Sequence, residues 1–324
     1  MRKLSFALAL AVALGLTGAA QAQSYPSRPI TIIVPFSAGG PTDALARSLA
    51  ERMRVSLGQS ILIENVTGAG GSIGVGRAVR SPPDGYTLSL GHTGTHVVNG
   101  AIYPLQYDLL NDFEPIALLA SNPMMIVTKN AVPPKDLREL IEWLKANPGK
   151  VAAGTAGVGS ASHFAGVYFQ NLTKVQLNFV PYRGTGPALQ DLVAGQIDMI
   201  VDQASNSLSQ VQAGKIKAYG ISAEKRLAAA PDIPTTDEAG LAGFHVSLWS
   251  ALWAPKGTPM DVIARLNAAV VEALADPTVR RRLADVGLEI PPREQQTPQA
   301  LGAYQKAEIE KWWPIIKAAG IKAE

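Results

Sequence analysis

A strand-to-helix segment, residues 30–43 with the sequence ITIIVPFSAGGPTD, constrains the fold of this chain more than any other stretch. The apolar, largely β-branched run Ile30–Val34 predicts a strand buried on both faces of a parallel sheet. Pro35 ends that strand because proline has no amide hydrogen for a sheet ladder. Two glycines then permit a tight turn, and the proline after them favours the first turn of a helix.

This arrangement predicts an anion site in the loop Phe36–Gly40. A buried strand, a glycine turn and a helix start together point free backbone N–H groups into the crevice at the carboxyl end of the strand. The loop contains no Lys, Arg or His. We therefore expect backbone amides and hydroxyls, rather than a formal cation, to hold the anion.

The rest of the chain repeats the strand–loop–helix pattern and predicts an α/β fold. Three such units are expected by residue 100, with right-handed crossovers between parallel strands. Extended segments at 117–120 and 124–127 then lead into a second series, and the strand Val246–Ala254 returns to the first. Helices finish the chain, and we expect their aromatic pair Trp312 and Trp313 to pack on the first unit. We predict two α/β units, the second inserted into the first, joined by two crossing strands.

The first 22 residues have the composition of a cleavable signal peptide. Arg2 and Lys3 precede the apolar run Leu4–Leu16, and Ala20-Gln21-Ala22 supplies a small-x-small cleavage pattern. No later stretch approaches the roughly 20 apolar residues of a membrane span. We expect an exported, soluble mature protein.

Composition argues against several classes of function. The formal net charge is +3 and no block of lysine or arginine indicates nucleic-acid binding. The chain has no cysteine, which excludes disulfides and thiolate metal sites. A 47% hydrophobic composition is ample for the cores of two domains.

Seven phrases along the chain carry a family resemblance. They are, in order, YPSRPITIIVPFSAGGPTD, IENVTGAGGSIG, PDGYTL, KANPGK, VPYRGTGPAL, DLVAGQIDMIVD and KAAGIKAE. Through them the chain resembles the Bug family of periplasmic solute-binding proteins, which serve tripartite tricarboxylate transporters. The resemblance covers essentially the whole mature sequence. One departure is Val201-Asp202, where Bug sequences often read Phe-Asp.

The resemblance implies a two-lobed α/β binding protein. The expected fold is a type II-like clamshell, or Venus flytrap, in which each lobe is a mainly parallel sheet flanked by helices and two crossing strands form the hinge. We expect residues 23–123 and 247–324 in the first lobe and 124–246 in the second.

The implied function is the capture of a small carboxylate in the periplasm. The ligand would be a di- or tricarboxylate, an acidic amino acid or an aromatic acid, delivered to the integral-membrane permease of a tripartite tricarboxylate-type transporter. We expect a monomer without enzymatic activity, cofactor, metal or nucleic-acid partner.

Two opposed loops are the expected ligand site. Each precedes a helix, offers several amides and includes a serine hydroxyl, so the residues suit the role independently of the resemblance. The alternative is that both are ordinary tight turns. The expected ligand-binding residues are Phe36, Ser37, Ala38, Gly39, Gly40, Thr93, Gly157, Gly159, Ser160, Ala161, Tyr182 and Asp202.

Individual polar residues have competing interpretations. Asp202 follows an apolar strand, where it either faces the cleft or caps the next helix. Asp43 near a helix start is expected to be structural, since its charge would repel an anionic ligand. Arg183 is either a carboxylate fork or a solvated loop residue. His92 stands beside Thr93 in a third strand-end loop and is a further candidate.

An exported serine hydrolase is the alternative function. Residues 70–74 match the G-x-S-x-G pattern with Ser72 as nucleophile, although a glycine-rich stretch makes a chance match easy. His92 and His96 have H-x-x-x-H spacing without the intervening glutamate of a zinc protease. Neither glycine loop has the GK[ST] ending of a P-loop. The third glycine that a dinucleotide-binding fingerprint needs is also missing. We therefore interpret the chain as a binding protein.

Overall fold

The computed structural model describes residues 25–318 and residue 320. The expected signal peptide at residues 1–22 lies outside this range. The strands are β1 Ile30–Val34, β2 Ile61–Asn65, β3 Thr87–His92, β4 Phe113–Lys129, β5 Ala152–Thr155, β6 Asn178–Pro181, β7 Met199–Gln203, β8 Ile216–Ile221 and β9 Ser247–Pro255. The α-helices are α1 Pro41–Leu57, α2 Ser72–Val79, α3 Asn99–Ile102, α4 Leu137–Ala146, α5 Ala161–Thr173, α6 Thr185–Val193, α7 Ala204–Gln212, α8 Met260–Ala275, α9 Pro277–Asp285 and α10 Pro298–Ala318. Within the described range, every helix is too short or too polar to cross a membrane.

The strands form one twisted sheet in two halves. Its order is β2-β1-β3-β9-β4-β7-β5-β6, and β8 also pairs with β4. In the first half β1 pairs in parallel with β2 and β3, while β9 is antiparallel to β3 and β4. In the second half β5 pairs in parallel with β6 and β7, and β4 is antiparallel to β7 and β8. The predicted α/β architecture is confirmed.

The long strand β4 belongs to both halves. Its first part, up to Pro123, pairs with β9, and the part that begins at Met124 pairs with β7 and β8. The two extended segments expected from sequence are therefore parts of one strand. The chain passes between the halves again where residues 222–246 lead into β9. The lobe boundaries stay a prediction, which this change of partners at Pro123 favours.

Aliphatic side chains bury each face of the sheet. In the first half Ile30 and Leu88 pack with Leu49 of α1 and Leu266 of α8 in one buried cluster. Burying a side chain of this size stabilises the fold by about 1.5–3 kcal/mol. The continuous apolar strands predicted from sequence owe their stability to helices on both faces.

One local expectation is changed by the structure and another is extended. The segment after β3, expected as a loop, is a single π-helical stretch, Gly94–Val98. Trp313 packs on the first half as expected, where its indole Nε1 donates to the Val97 carbonyl at 2.9 Å. Trp312 shares the Glu308 carboxylate with Trp249 of β9, and its ring also packs edge-on against Phe164 of α5, 5.0 Å away in the second half.

Candidate functional site

A small cavity lies where the two halves of the sheet meet. It sits beyond the carboxyl ends of strands from both halves, where ligands of open α/β sheets bind. Its volume is about 10 Å³, room for one water-sized group. The residues that line it are Phe36, Ser37, Gly40, Pro41, Thr42, His92, Ala156, Ala161, Ser162, Gly184, Thr185 and Gln203.

Four helices start at this cavity. The residues at their N-termini include Gly40 before α1, Ala161 at the start of α5, Gly184 before α6 and Gln203 before α7. The first amides of a helix have no intrahelical partner, and the helix dipole is positive there. Of the described residues that line the cavity, none is Lys, Arg, Asp or Glu. The arrangement therefore suits an anion held without a formal cation.

A buried carboxylate shapes the first loop from behind. Asp43 accepts from the Gly39 amide at 2.9 Å, from Arg47 Nε at 2.9 Å and from Asn65 Nδ2 at 3.0 Å. Burial by itself would raise the pKa of Asp43, but the hydrogen bonds from Arg47, Gly39 and Asn65 outweigh burial and hold it below its usual value. As predicted, Asp43 has a structural role.

The Ser37 hydroxyl is buried and makes no hydrogen bond with the described residues. Its backbone amide donates to the Arg183 carbonyl at 3.3 Å, which joins the two halves. Gly184 comes so close that a Cβ placed on it would lie 2.3 Å from Ser37 Oγ. Its backbone is extended, with φ of 167°, so the close approach rather than the backbone conformation requires glycine here.

Neutral groups build the second loop. Ser160 caps α5, because its hydroxyl accepts from the His163 amide at 3.3 Å. The Gly159 amide donates to His163 Nδ1 at 3.2 Å, and Ser162 Oγ accepts from the Ala156 amide at 2.9 Å. Ser160 thus orders the loop, while Ala161 and Ser162 reach the cavity.

His92 forms part of the cavity wall at the end of β3. Its Nδ1 accepts from the Gly94 amide at 3.0 Å, and its ring stacks on Phe36 at 5.0 Å with an angle of 11° between the planes. Burial lowers the pKa of His92 to about 4, so the imidazole is neutral at pH 7.

The structure does not bring Asp202 to the cavity. Its buried carboxylate accepts from the Gln203 amide at 2.8 Å, from Asn206 Nδ2 at 2.6 Å and from Ser207 Oγ at 2.6 Å. Burial raises its pKa to about 6, although these hydrogen bonds and one with Thr185 oppose the shift. Asp202 therefore supports Gln203 and Thr185 from behind.

The other expected residues fall into two groups. Thr93 and Gly159 lie outside the cavity wall, where Thr93 Oγ1 accepts from the Trp249 amide at 3.1 Å and Gly159 packs tightly against Tyr103. Gly157 and Tyr182 border an outer cleft of about 500 Å³ that shares Phe36 and Ala156 with the cavity. Exposed Arg183 borders the same cleft. Ala38 and Gly39 border another of about 660 Å³.

Sequence reasoning missed several residues of the cavity wall. Thr185 and Gln203 each stand at the start of a helix that follows a second-half strand. The rule that identified the first loop would have found both, because each repeats its strand-to-helix pattern. The other residues that were missed are Pro41, Thr42, Ala156, Ser162 and Gly184.

The proposed nucleophile Ser72 is not arranged for catalysis. It is the first residue of α2, and its hydroxyl lies 2.9 Å from Asn99 Nδ2, an amide group that donates to it. A nucleophilic serine needs a base that accepts its proton. Within residues 25–318, no three His, Asp or Glu side chains cluster as a metal site would require.

Comparisons with known proteins agree with this geometry. Residues 45–321 match the model of the tripartite tricarboxylate transporter family receptor. The chain is 42% identical over 317 residues to an Agrobacterium vitis protein of the TAR-I ttuE-ttuC' intergenic region, covering 97% of this chain and 91% of that one.

Solved structures show the same fold. The periplasmic binding protein BugD superimposes with a TM-score of 0.89 at 41% identity, covering 93% of this chain and all of that one. MatC from Rhodopseudomonas palustris with bound malate gives 0.87 at 43%, covering 90% of this chain and all of that one. The predicted two-lobed fold and the Bug resemblance are confirmed. The chain belongs to the tripartite tricarboxylate transporter receptor family, among its Bug-type binding proteins.

Proposed function

We propose that this protein captures a small carboxylate between its two halves and delivers it to a tripartite tricarboxylate-type permease. The observation that carries the proposal is the uncharged cavity at four helix starts. MatC, whose fold is the same, holds malate. The ligand class is a di- or tricarboxylate, an acidic amino acid or an aromatic acid.

The binding energy comes from neutral donors. A helix start favours an anion by about 0.3–1 kcal/mol, and up to about 2 when partly buried. Each hydrogen bond to a charged group adds roughly 1.5–3 kcal/mol. Several such contributions reach micromolar affinity, about −8 kcal/mol, after the costs of binding.

Ligand entry requires the halves to separate. A cavity of about 10 Å³ is too small for a whole dicarboxylate, and the contact between Ser37 and Arg183 covers it. The hinge is the partner change in β4 at Pro123, together with the second passage near Val246. Few backbone dihedrals need to change there. One carboxylate then occupies the cavity, and the remainder of the ligand extends into an outer cleft.

We place the protein in the periplasm as a monomer, exported by its N-terminal signal. Its partners are the ligand and the integral-membrane permease subunits, which recognise the closed form. We assign no catalytic role to Ser72, because the group hydrogen-bonded to its hydroxyl is the Asn99 amide, which cannot accept a proton as a base would. Hydrolysis of generic esters that is lost in Ser72→Ala would refute this assignment.

The test compares an acid with its mono-amide. Calorimetric titration with a panel of malate, succinate, citrate, glutamate and benzoate identifies an acid that binds, and its mono-amide is then titrated at two salt concentrations. The amide replaces an acceptor oxygen with donors that face other donors, at about 1–3 kcal/mol for each unpaired group. We expect the acid to bind roughly tenfold or more tightly. Equal affinities would contradict recognition of a carboxylate.

A further inference from the structure

We propose that His92 recognises the ligand directly, by donating a hydrogen bond from Nε2 to a carboxylate oxygen. This inference rests on the proposed function and assigns a specificity-determining residue in the same cavity. His92 is uncharged in this role, so it acts as a directional donor and not as a cation.

The position of the imidazole proton follows from one hydrogen bond. The Gly94 amide donates to Nδ1 of His92 at 3.0 Å, so Nδ1 is the unprotonated nitrogen of the neutral ring. In neutral imidazole the other nitrogen then carries the hydrogen. Nε2 is therefore a donor.

That donor lacks a partner in the described part of the chain. Hydrogen bonds there engage Nδ1 and the backbone of His92, and none reaches Nε2. The residue is only 2% exposed, and its side chain forms part of the cavity wall. Nε2 is not one of the fully buried side-chain atoms without a partner, so this donor still reaches open space. Ser37 Oγ, also unpaired, lines the same cavity.

The imidazole also lies close to a donor of the opposite half. A Cβ placed on Gly94 would lie 2.7 Å from His92 Cε1 and 2.9 Å from the Ala161 amide nitrogen. The ring and the first amide of α5 therefore converge on one region from different halves. Stacking on Phe36 keeps the ring in its plane. The imidazole and this amide lie close to each other only when the halves are together.

A purely structural role is the competing explanation. His92 Nδ1 satisfies the Gly94 amide where the π-helical segment begins, and that contact could account for the residue without any ligand. The two roles use different nitrogens. Asparagine places a polar atom near the Nδ1 position, whereas glutamine reaches the Nε2 position.

The experiment compares His92→Asn with His92→Gln, using L-malate as the first probe and the acids of the panel above after it. We expect His92→Asn, which keeps an acceptor for Gly94, to lose tenfold or more in affinity, and His92→Gln, which keeps the distal donor, to lose only a few-fold. A structural role predicts the reverse order. His245→Gln, on an exposed histidine, is the control for loss of an imidazole.

Nuclear magnetic resonance of the ¹⁵N-labelled wild type provides a second measurement. Saturation with the acid that binds should shift the His92 Nε2–H proton downfield and slow its exchange with water. Wild-type affinity in both variants, with an unchanged Nε2–H signal, would overturn the role of His92 and leave the proposed function standing. Failure of the wild type to bind any acid would remove both.

Discussion

The two glycine loops that face each other across the cavity, Phe36–Gly40 and Gly157–Ala161, are stabilised by different chemistry. A charged group holds the first, because the Asp43 carboxylate binds the Gly39 amide and the Arg47 guanidinium. Neutral groups hold the second, through the Ser160 hydroxyl and the His163 imidazole. At each loop a residue at the start of a helix lines the cavity, Gly40 in the first loop and Ala161 in the second.

This difference shows that one strand–turn–helix pattern can be stabilised in two ways. A carboxylate behind the first loop places a negative charge near the proposed anion site, and the Arg47 partner offsets that charge. The second loop needs no such compensation, but it depends on an imidazole that stays unprotonated. The first loop should therefore be sensitive to loss of its carboxylate, and the second to acid.

Removal of the carboxylate should have the largest effect. Asp43→Ala leaves the Gly39 backbone amide unpaired, while the Asn65 side-chain amide keeps its hydrogen bond to the Phe36 carbonyl. Breaking a buried pair by deleting one partner costs several kcal/mol. Because Arg47 is half exposed and can be solvated after the change, we expect the low end of that cost, about 3 kcal/mol in the free energy of unfolding, measured with urea. Asp84→Ala, in an exposed pair with Arg28, should cost less than about 1 kcal/mol. Equal losses would contradict the role given to Asp43.

Acid should destabilise the protein through the second loop. Burial lowers the pKa of His163 from 6.5 to about 4, so the unfolded chain binds a proton at pH values where the folded chain does not. The part of the free energy of unfolding that depends on neutral His163 is therefore complete above about pH 6.5. It falls by roughly 2 to 3 kcal/mol as the pH falls toward 4. His92 and His96, whose pKa values burial also lowers, act in the same direction.

His163→Gln should reduce this acid sensitivity. The free energy of unfolding, measured at pH 7 and at pH 4, should differ less between the two pH values than in the wild type. The control His245→Gln removes an exposed ring and should keep the wild-type difference. An unchanged difference in His163→Gln would mean that His163 does not set the acid response.

The next prediction concerns the close packing of the first loop against the second half. Gly184→Ala introduces a Cβ 2.3 Å from Ser37 Oγ, and overpacking of this kind costs about 1–3 kcal/mol. We expect the halves to separate, with a larger radius of gyration in small-angle scattering.

Ser37→Ala in the same chain should restore the wild-type radius, since the atom that clashes is removed. Gly302→Ala, whose Cβ would meet Pro115 at an ordinary 3.5 Å, is the control. A Gly184→Ala protein as compact as the wild type would show that this contact does not hold the halves together.

The helix cap of the second loop should have the smallest effect. Ser160→Ala removes the acceptor for the His163 amide and should cost about 1 kcal/mol of stability, measured by urea unfolding. Ligand affinity should fall by a similar free energy, because the cap orders Ala161 and Ser162. Ser48→Ala, in the interior of α1, should cost little because alanine favours the helix. Identical unfolding curves for Ser160→Ala and the wild type would contradict the capping role.

Much of the fold was predictable from short-range pattern. The bounds of β1, Ile30–Val34, agree with the sequence prediction, because an apolar, β-branched run ends there at a proline. The structural role of Asp43 was predictable from the repulsion between a carboxylate and an anion. The π-helical turn after β3 was not, because glycine and histidine favour a loop there when no tertiary contacts are considered.

The sequence by itself determined the α/β class, the family and the first loop of the proposed site. These depend on hydrophobic period, glycine and proline positions and local capping, which act within a few residues. It also determined that the first loop contains no formal cation.

Only the tertiary structure decided which residues meet at the cavity. Gly184, His92 and Gln203 lie at or just beyond the ends of strands that are far apart in the chain. Their proximity depends on sheet order and on how the two halves pack. The direction of a side chain is decided in the same way. The Asp202 carboxylate accepts three hydrogen bonds from neighbouring residues in the protein interior. A buried carboxylate without such partners would be far less stable.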